Sequence, residues 1–216
     1  MNRRVQMLAE MGLSPVWRLR KPVDAKQKTW FELKKAVPAC TACGLHKGRT
    51  QTVFGVGDEK ADWLLVGEAP GAEEDRLGEP FVGQAGRLLD NMLAAIGLSR
   101  GENVYIANVL KCRPPGNRNP EPEEVAKCSP HLLKQIELIE PKLIVAMGRF
   151  AAQTLLGTDA TIASLRGKVH QYAGVPLIVT YHPAYLLRNL PDKSKAWVDL
   201  CFAMKTIENR GQSPIS

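Results

Sequence analysis

Apolar residues along this chain fall into two alternating kinds of run. Four short continuous blocks read as strands buried on both faces: Asp62-Trp63-Leu64-Leu65-Val66-Gly67, Asn103-Val104-Tyr105-Ile106-Ala107-Asn108-Val109, Leu143-Ile144-Val145-Ala146-Met147 and Pro176-Leu177-Ile178-Val179-Thr180-Tyr181. Between them, apolar positions recur at helical intervals. Ala85 to Ile96 carries Leu88, Leu89, Met92, Leu93 and Ile96 on one side. Glu123 to Leu138 follows Pro122, Phe150 to Leu156 makes a short helix, and Ser194 to Glu208 closes the chain. Strands alternating with helices predict an α/β fold: three layers, α/β/α, around a central four-stranded, mainly parallel sheet.

The pattern divides the 216 residues into a domain and two flanks. Residues 1–37 are basic (Arg3, Arg4, Arg18, Arg20, Lys21) and broken by Pro15 and Pro22. Val5, Leu8, Ala9 and Leu13 fit one face of a short helix there, so a partly ordered basic N-terminal extension is expected. Residues 38–210 make the predicted α/β domain, and 211–216 a flexible tail. Composition is that of a globular protein, and the formal net charge of +7 suits a polyanionic partner without proving one. No run approaches the roughly 18 apolar residues of a membrane span. The start, Met1-Asn2-Arg3-Arg4-Val5-Gln6, lacks the apolar stretch of a secretory signal, so a cytoplasmic protein with reduced thiols is expected.

The thiols change the picture most. Cys40 and Cys43 form a C-x2-C pair, Cys112 follows after 68 residues and Cys128 after 15 more. Four reduced thiols spread across one domain point to a soft metal, either zinc or an iron–sulfur cluster, rather than to disulfides. The spacing does not choose between the two metals. Cys201, among apolar residues, reads as a small buried hydrophobe.

Three strands also end in residues that a bare core would not select. The first runs into Gly67-Glu68-Ala69-Pro70-Gly71, the second carries Asn108 near its end, and the fourth runs into His182-Pro183-Ala184-Tyr185. Each has a plain structural explanation alone: a solvated loop acid, an amide satisfying strand-end backbone, a turn histidine. Together, at the carboxyl edge of a parallel sheet, they predict a site. Gly67 and Gly71 allow close backbone approach there, and Phe81 offers either core packing or a stacking surface. The loop is not G-x-x-x-x-G-K-S/T or G-x-G-x-x-G, and no G-x-S-x-G elbow is present, which argues against nucleotide, dinucleotide and serine-hydrolase chemistry.

Beyond these residues, the ordered set Gly67-Glu68-Ala69-Pro70-Gly71, Gly78-Glu79-Pro80-Phe81-Val82-Gly83, Asn103-Val104-Tyr105-Ile106-Ala107-Asn108, Lys111-Cys112-Arg113-Pro114-Pro115 with Asn117-Arg118, Arg166-Gly167-Lys168 and His182-Pro183-Ala184-Tyr185-Leu186-Leu187-Arg188 resembles the family 4 uracil-DNA glycosylases, the bacterial and archaeal iron–sulfur type. The resemblance spans residues 38 to 208. It implies the uracil-DNA glycosylase-like fold, a [4Fe-4S] cluster on Cys40, Cys43, Cys112 and Cys128, and excision of uracil from DNA with an abasic site left behind. It implies Glu68 and His182 as catalytic groups, with Glu74 a second candidate acid that also crowds the C5 position of the base. Gly67, Glu68, Ala69, Phe81, Asn108 and His182 are then the uracil-binding set. Ala69, and the absence of an inserted basic loop with an extra histidine, separate the chain from a sibling family that cross-links to its product. Glu68 separates it from another that lacks this acid and accepts other deaminated bases.

DNA contacts are expected from Arg113, Arg118, Lys168, Tyr185, Leu186, Leu187 and Arg188, with cations on phosphates and apolar residues holding the duplex open. The two leucines could instead pack beneath their loop. The expected partner is uracil-containing DNA, single- or double-stranded, with no membrane partner and the protein a monomer. Competing readings are a glycosylase of broader specificity, a non-catalytic DNA-binding module of the same fold, and a zinc-ribbon-like structural protein.

Overall fold

A computed structural model describes residues 25–211 of the chain, with side chains placed for residues 29–209. The short helix expected near Val5 to Leu13 and the tail from 212 onward lie outside the described residues. The expected parallel sheet is present and carries two more strands. In chain order these are β1 (Val56–Gly57), β2 (Trp63–Gly67), β3 (Val104–Asn108), β4 (Leu143–Met147), β5 (His170–Tyr172) and β6 (Val175–Thr180). Their spatial order is β1-β3-β2-β4-β6-β5. The four inner strands are parallel, while β1 and β5 close the two edges antiparallel.

Alternation along the inner strands sorts side chains into two cores. Leu64, Val66, Tyr105, Ala107, Ile144, Ala146, Leu177 and Val179 face one way. They are covered by α1 (Ala25–Ala39), α4 (Pro122–Ile139) and α5 (Arg149–Leu156). Trp63, Leu65, Val104, Ile106, Val145, Met147 and Ile178 face the other way, under α3 (Gln84–Ala95) and α8 (Lys193–Gly211). Residues 25–37, which the sequence groups with the extension, thus join the domain. Trp30, Leu33 and Val37 sit at i, i+3 and i+7 and are buried, each contributing about 2 kcal/mol by removal from water.

The chain enters the parallel sheet at β2, steps to β3 on one side, then crosses to β4 on the other. Connections leave β2 and β4 in opposite directions, so the carboxyl ends of these two strands flank a natural crevice. Three short helices complete the fold: α2 (Ala72–Leu77) after the β2 loop, α6 (Ile162–Leu165), and α7 (Pro183–Leu186) after β6. None of the helices is long and apolar enough to cross a membrane, among the described residues.

Candidate active site

The strand register brings the predicted polar residues to one edge. Gly67 pairs with Asn108 across β2 and β3, and the ladder continues past both as Val109 N and Leu110 N donate to the carbonyls of Gly67 and Glu68, each at 3.0 Å. On the other side Gly148 N donates to Thr180 O at 2.8 Å, placing the end of β4 beside the turn into His182. A Cβ added at Gly67 would collide with Asn108 Oδ1 and lie 2.7 Å from Phe81 Cζ. The Phe81 ring lies 5.4 Å from the His182 ring, tilted by 31°. At Gly148, whose φ is +93°, a Cβ would lie 2.8 Å from His182 Cβ. Amide, aromatic ring and imidazole therefore form one continuous wall, and the two glycines keep it close to the sheet.

Asn108 is 2% exposed, and its Oδ1 has no hydrogen-bond partner. An orphaned buried acceptor costs about 1–3 kcal/mol, so this position stores free energy that a ligand N–H would recover. His182 Nδ1 accepts from Ala184 N at 3.1 Å, so its ring proton resides on Nε2. Burial, with help from the Arg188 cation, pushes the His182 pKa down to about 4 against the opposing pull of Glu74. The ring is thus a neutral donor at physiological pH. Glu68, which follows β2 directly, is pushed up to about 7 by burial, while the Arg149 cation at the end of β4 pulls it down.

Glu74 lies on α2. Its Oε1 accepts from Val82 N at 3.0 Å and from Gly83 N at 3.4 Å. The carboxylate thereby anchors the loop that carries Phe81. Ala69 is partly buried beside Leu110, Cys112 and Cys128, on the thiol side of the β2 loop.

The four thiols come from separate elements. Cys40 follows α1, Cys43 precedes a 3-10 turn at Gly44–Lys47, Cys112 follows β3, and Cys128 lies in α4. All four are free and line one cavity with Arg49, Lys111 and His131. Arg49 donates to Cys112 Sγ and Lys111 N to Cys128 Sγ, both at 3.2 Å. Burial pushes the Cys128 thiol up to about 11 against the Lys111 cation, and raises Cys112 against Arg49. The Cys112 and Cys128 thiols therefore hold their protons at neutral pH until something displaces them, as a bound metal does. Among the described residues, no three His, Cys, Asp or Glu side chains are arranged around a point that a single ion would occupy. Cys201 is only partly buried.

The expected DNA contacts divide. Leu187, Arg188 and Lys168 are exposed, as a contact with phosphate or duplex requires. Leu186 is 1% exposed and packs with Tyr181 and Ala196, which corrects its expected place in the duplex: its side chain is core. Tyr185 stacks on Tyr181 at 5.1 Å and donates its hydroxyl to Asp192. Arg118 spends its guanidinium on both carboxylate oxygens of Glu124, at 2.9 and 2.6 Å. That pairing braces the start of α4 instead of presenting a free cation. Arg113 donates to Asn117 Oδ1. Arg166 forms a buried two-pronged pair with Asp199 and packs over Tyr181, tying α8 to the turn before His182.

Three residues that the sequence did not single out also belong here. Arg149 sits on the rim beside Glu68. Lys111 is fully buried, with Nζ donating to Asn108 O at 2.9 Å and to Gln135 Oε1 at 2.6 Å. Burial pushes its pKa down to about 8 against the pull of Cys128. Arg49 reaches back to the carbonyls of Pro38 and Cys40. Lys111 had one available signal, its place beside Cys112; Arg49 had none.

Comparison with known proteins identifies the family. A family model described as the uracil DNA glycosylase superfamily matches residues 54–203. A type-4 uracil-DNA glycosylase from Archaeoglobus fulgidus is 51% identical over 164 residues, covering 72% of this chain and 82% of that protein. Its namesake from Thermotoga maritima is 48% identical over 159 residues, covering 73% and 82%. A third, from Pyrobaculum aerophilum, is 46% identical over 165 residues, covering 73% and 84%.

Proposed function

The chain belongs to the uracil DNA glycosylase superfamily, and from that premise we propose that it hydrolyses the N-glycosidic bond of deoxyuridine in DNA, freeing uracil for base excision repair. The observation that carries this reading is the buried, unpartnered Oδ1 of Asn108 beside an aromatic ring and a neutral imidazole donor. Uracil N3–H fits that acceptor, and the amide nitrogen can donate to O4. Cytosine presents the reverse pattern at both positions and leaves the amide mispaired.

The base must leave the stack before its C1′ is reachable. Phe81 then packs on its face. As the C1′–N1 bond breaks, its electron pair stays with uracil and positive charge grows on the sugar. His182 donates its Nε2 proton as a hydrogen bond to O2, where negative charge collects. Glu68, as carboxylate, takes a proton from the attacking water while the water oxygen bonds to C1′. Glu74 contributes by fixing the Phe81 loop as the wall on the C5 side, where thymine carries its methyl. Arg113, Lys168, Leu187 and Arg188 make the proposed DNA contacts.

The four-thiol cavity suits a [4Fe-4S] cluster. Four thiolate donors are available, and Arg49 and Lys111 bring two N–H donors and two cations to sulfurs that would carry negative charge. A cluster there would cross-link α1, the β3 loop and α4.

The test is release of uracil from single- and double-stranded oligonucleotides, read as strand cleavage at abasic sites. Glu68→Gln is expected to lower the rate by about 100- to 10,000-fold and His182→Ala by about 100- to 1,000-fold. Absence of abasic product from both substrates with the unaltered protein overturns the assignment.

A further inference from the structure

Phe81 holds a backbone conformation that its side chain disfavours. Its φ is +55°, in the left-handed region where a bulky residue is an outlier. Such a conformation persists only where the surroundings impose it. The loop Gly78-Glu79-Pro80-Phe81-Val82-Gly83 is clamped from two sides. Glu74 accepts from the amides of Val82 and Gly83. Arg100, from the turn before β3, takes the carbonyls: Nη1 donates to Pro80 O at 2.9 Å and Nη2 to Phe81 O at 2.8 Å. Asp90 on α3 accepts from Arg100 Nε at 3.0 Å and Nη2 at 2.9 Å, fixing the guanidinium plane. Gly86 leaves room for the Phe81 carbonyl against α3, since a Cβ there would collide with it.

We propose that Arg100, braced by Asp90, is a positioning residue for uracil excision: it locks the two carbonyls flanking Phe81 so that the ring is set to receive the flipped base. This rests on the reading that Phe81 stacks on uracil. The guanidinium donates to Asp90 and to the Pro80 and Phe81 carbonyls, so its effect on the reaction runs through Phe81. Its fork matters, because two carbonyls one residue apart and one carboxylate are held by a single plane. A lysine ammonium is a point charge and does not reproduce that geometry.

The test is a double-mutant cycle in single-turnover excision of uracil from single-stranded DNA. Arg100→Ala and Arg100→Lys are each expected to lower the rate on the order of 10- to 100-fold, the scale of a misplaced contact, with the loss in the chemical step more than in DNA affinity. In a Phe81→Ala background, Arg100→Ala is expected to cost less than about twofold, because the ring it positions is gone. Equal losses in the two backgrounds overturn the proposal. An arm independent of activity measures amide hydrogen exchange over residues 78–86. Arg100→Ala is expected to speed exchange there, whereas Lys134→Ala on the remote face of α4 leaves it unchanged; unaltered protection in Arg100→Ala overturns the clamp. If the unaltered protein released no uracil, the assigned function would fall while this arm still decided the clamp. Should Arg100→Ala fail to fold, Asp90→Asn, which keeps the guanidinium but weakens its brace, is expected to show a smaller loss of the same kind, and an unchanged rate and exchange pattern there overturns the clamp equally.

Discussion

The acid limb of the pH–rate profile is the sharpest handle on the proposed chemistry, because two titrating groups with opposite requirements share the site. Glu68 must be ionised to accept a proton from water, and burial raises it from 4.5 to about 7. His182 must be neutral to keep its Nε2–H as a donor without releasing Nδ1 from Ala184, and it stays neutral down to about pH 4. Activity therefore rises with pH through the Glu68 value, and His182 does not shape the accessible range. One pH unit below its pKa only about a tenth of a carboxyl is ionised, and two units below about a hundredth. So kcat/KM at pH 6 should be about a tenth of the plateau and at pH 5 about a hundredth. An ordinary carboxylate would leave the enzyme near full activity at pH 6. Arg149→Gln removes the cation that holds Glu68 down, so the limb should move to higher pH, with the deficit largest in acid and closing at alkaline pH. The assay is kcat/KM on a single-stranded uracil oligonucleotide from about pH 5 to about pH 9 at fixed ionic strength, since this ratio reports groups of the free enzyme. Arg149 also stands on the rim where DNA must approach, and a lost phosphate contact would scale the profile without moving its midpoint. A wild-type limb at the usual carboxylate position, or an Arg149→Gln midpoint that stays put or falls, refutes this account of Glu68.

Gly67→Ala places a methyl against Asn108 Oδ1 and Phe81 Cζ, in the pocket proposed for the base. Excision should fall on the order of 100-fold while the melting temperature drops by a few degrees; normal turnover would show that the pocket lies elsewhere. Cys112→Ser should lose iron and the visible iron–sulfur absorbance together with thermal stability, because metal binding free energy in such a site is folding free energy. A variant that keeps full iron content and melting temperature would remove Cys112 from the ligand set.

The sheet was legible because its four inner strands are buried on both faces and therefore read as unbroken apolar blocks bounded by polar residues. The helices α3, α4, α5 and α8 were legible from their one-sided apolar spacing. The edge strands were not. Val56–Gly57 is two residues long and pairs closely with β3 only because Gly57, at φ +136°, carries no side chain to strike Val104 O. His170–Tyr172 is polar, since an edge strand has an open side. The helix α1 hid for another reason. Its core spacing of Trp30, Leu33 and Val37 sits in a run with Lys26, Lys28, Lys34 and Lys35 and a proline at position 38, so basic composition outweighed a short apolar period.

At the site the same division runs between what a residue is and what it touches. Glu68, Asn108 and His182 were readable because an acid, an amide and an imidazole at strand ends are chemically out of place in a core, whatever lies beside them. Charge count carried far less. Arg100, Arg118 and Arg166 each close on an acceptor from another element or turn, and Lys111 on two. Sequence shows the cation in each case and conceals its partner, because the partner is brought near only by the fold. The neighbours Leu186 and Leu187 make the same point for apolar residues: at the end of α7 the last helical side chain turns inward and the capping one stays exposed. Of the net charge of +7, residues 1–37 carry nine Lys and Arg against three Asp and Glu, so the domain that follows is close to neutral and what it offers to phosphate depends on where its cations stand. Several of its cations are spent holding α4, α8 and the Phe81 loop in place around a pocket, and the proposed contacts with phosphate rest on cations that stay exposed, Lys168 and Arg188 with Arg149 beside Glu68.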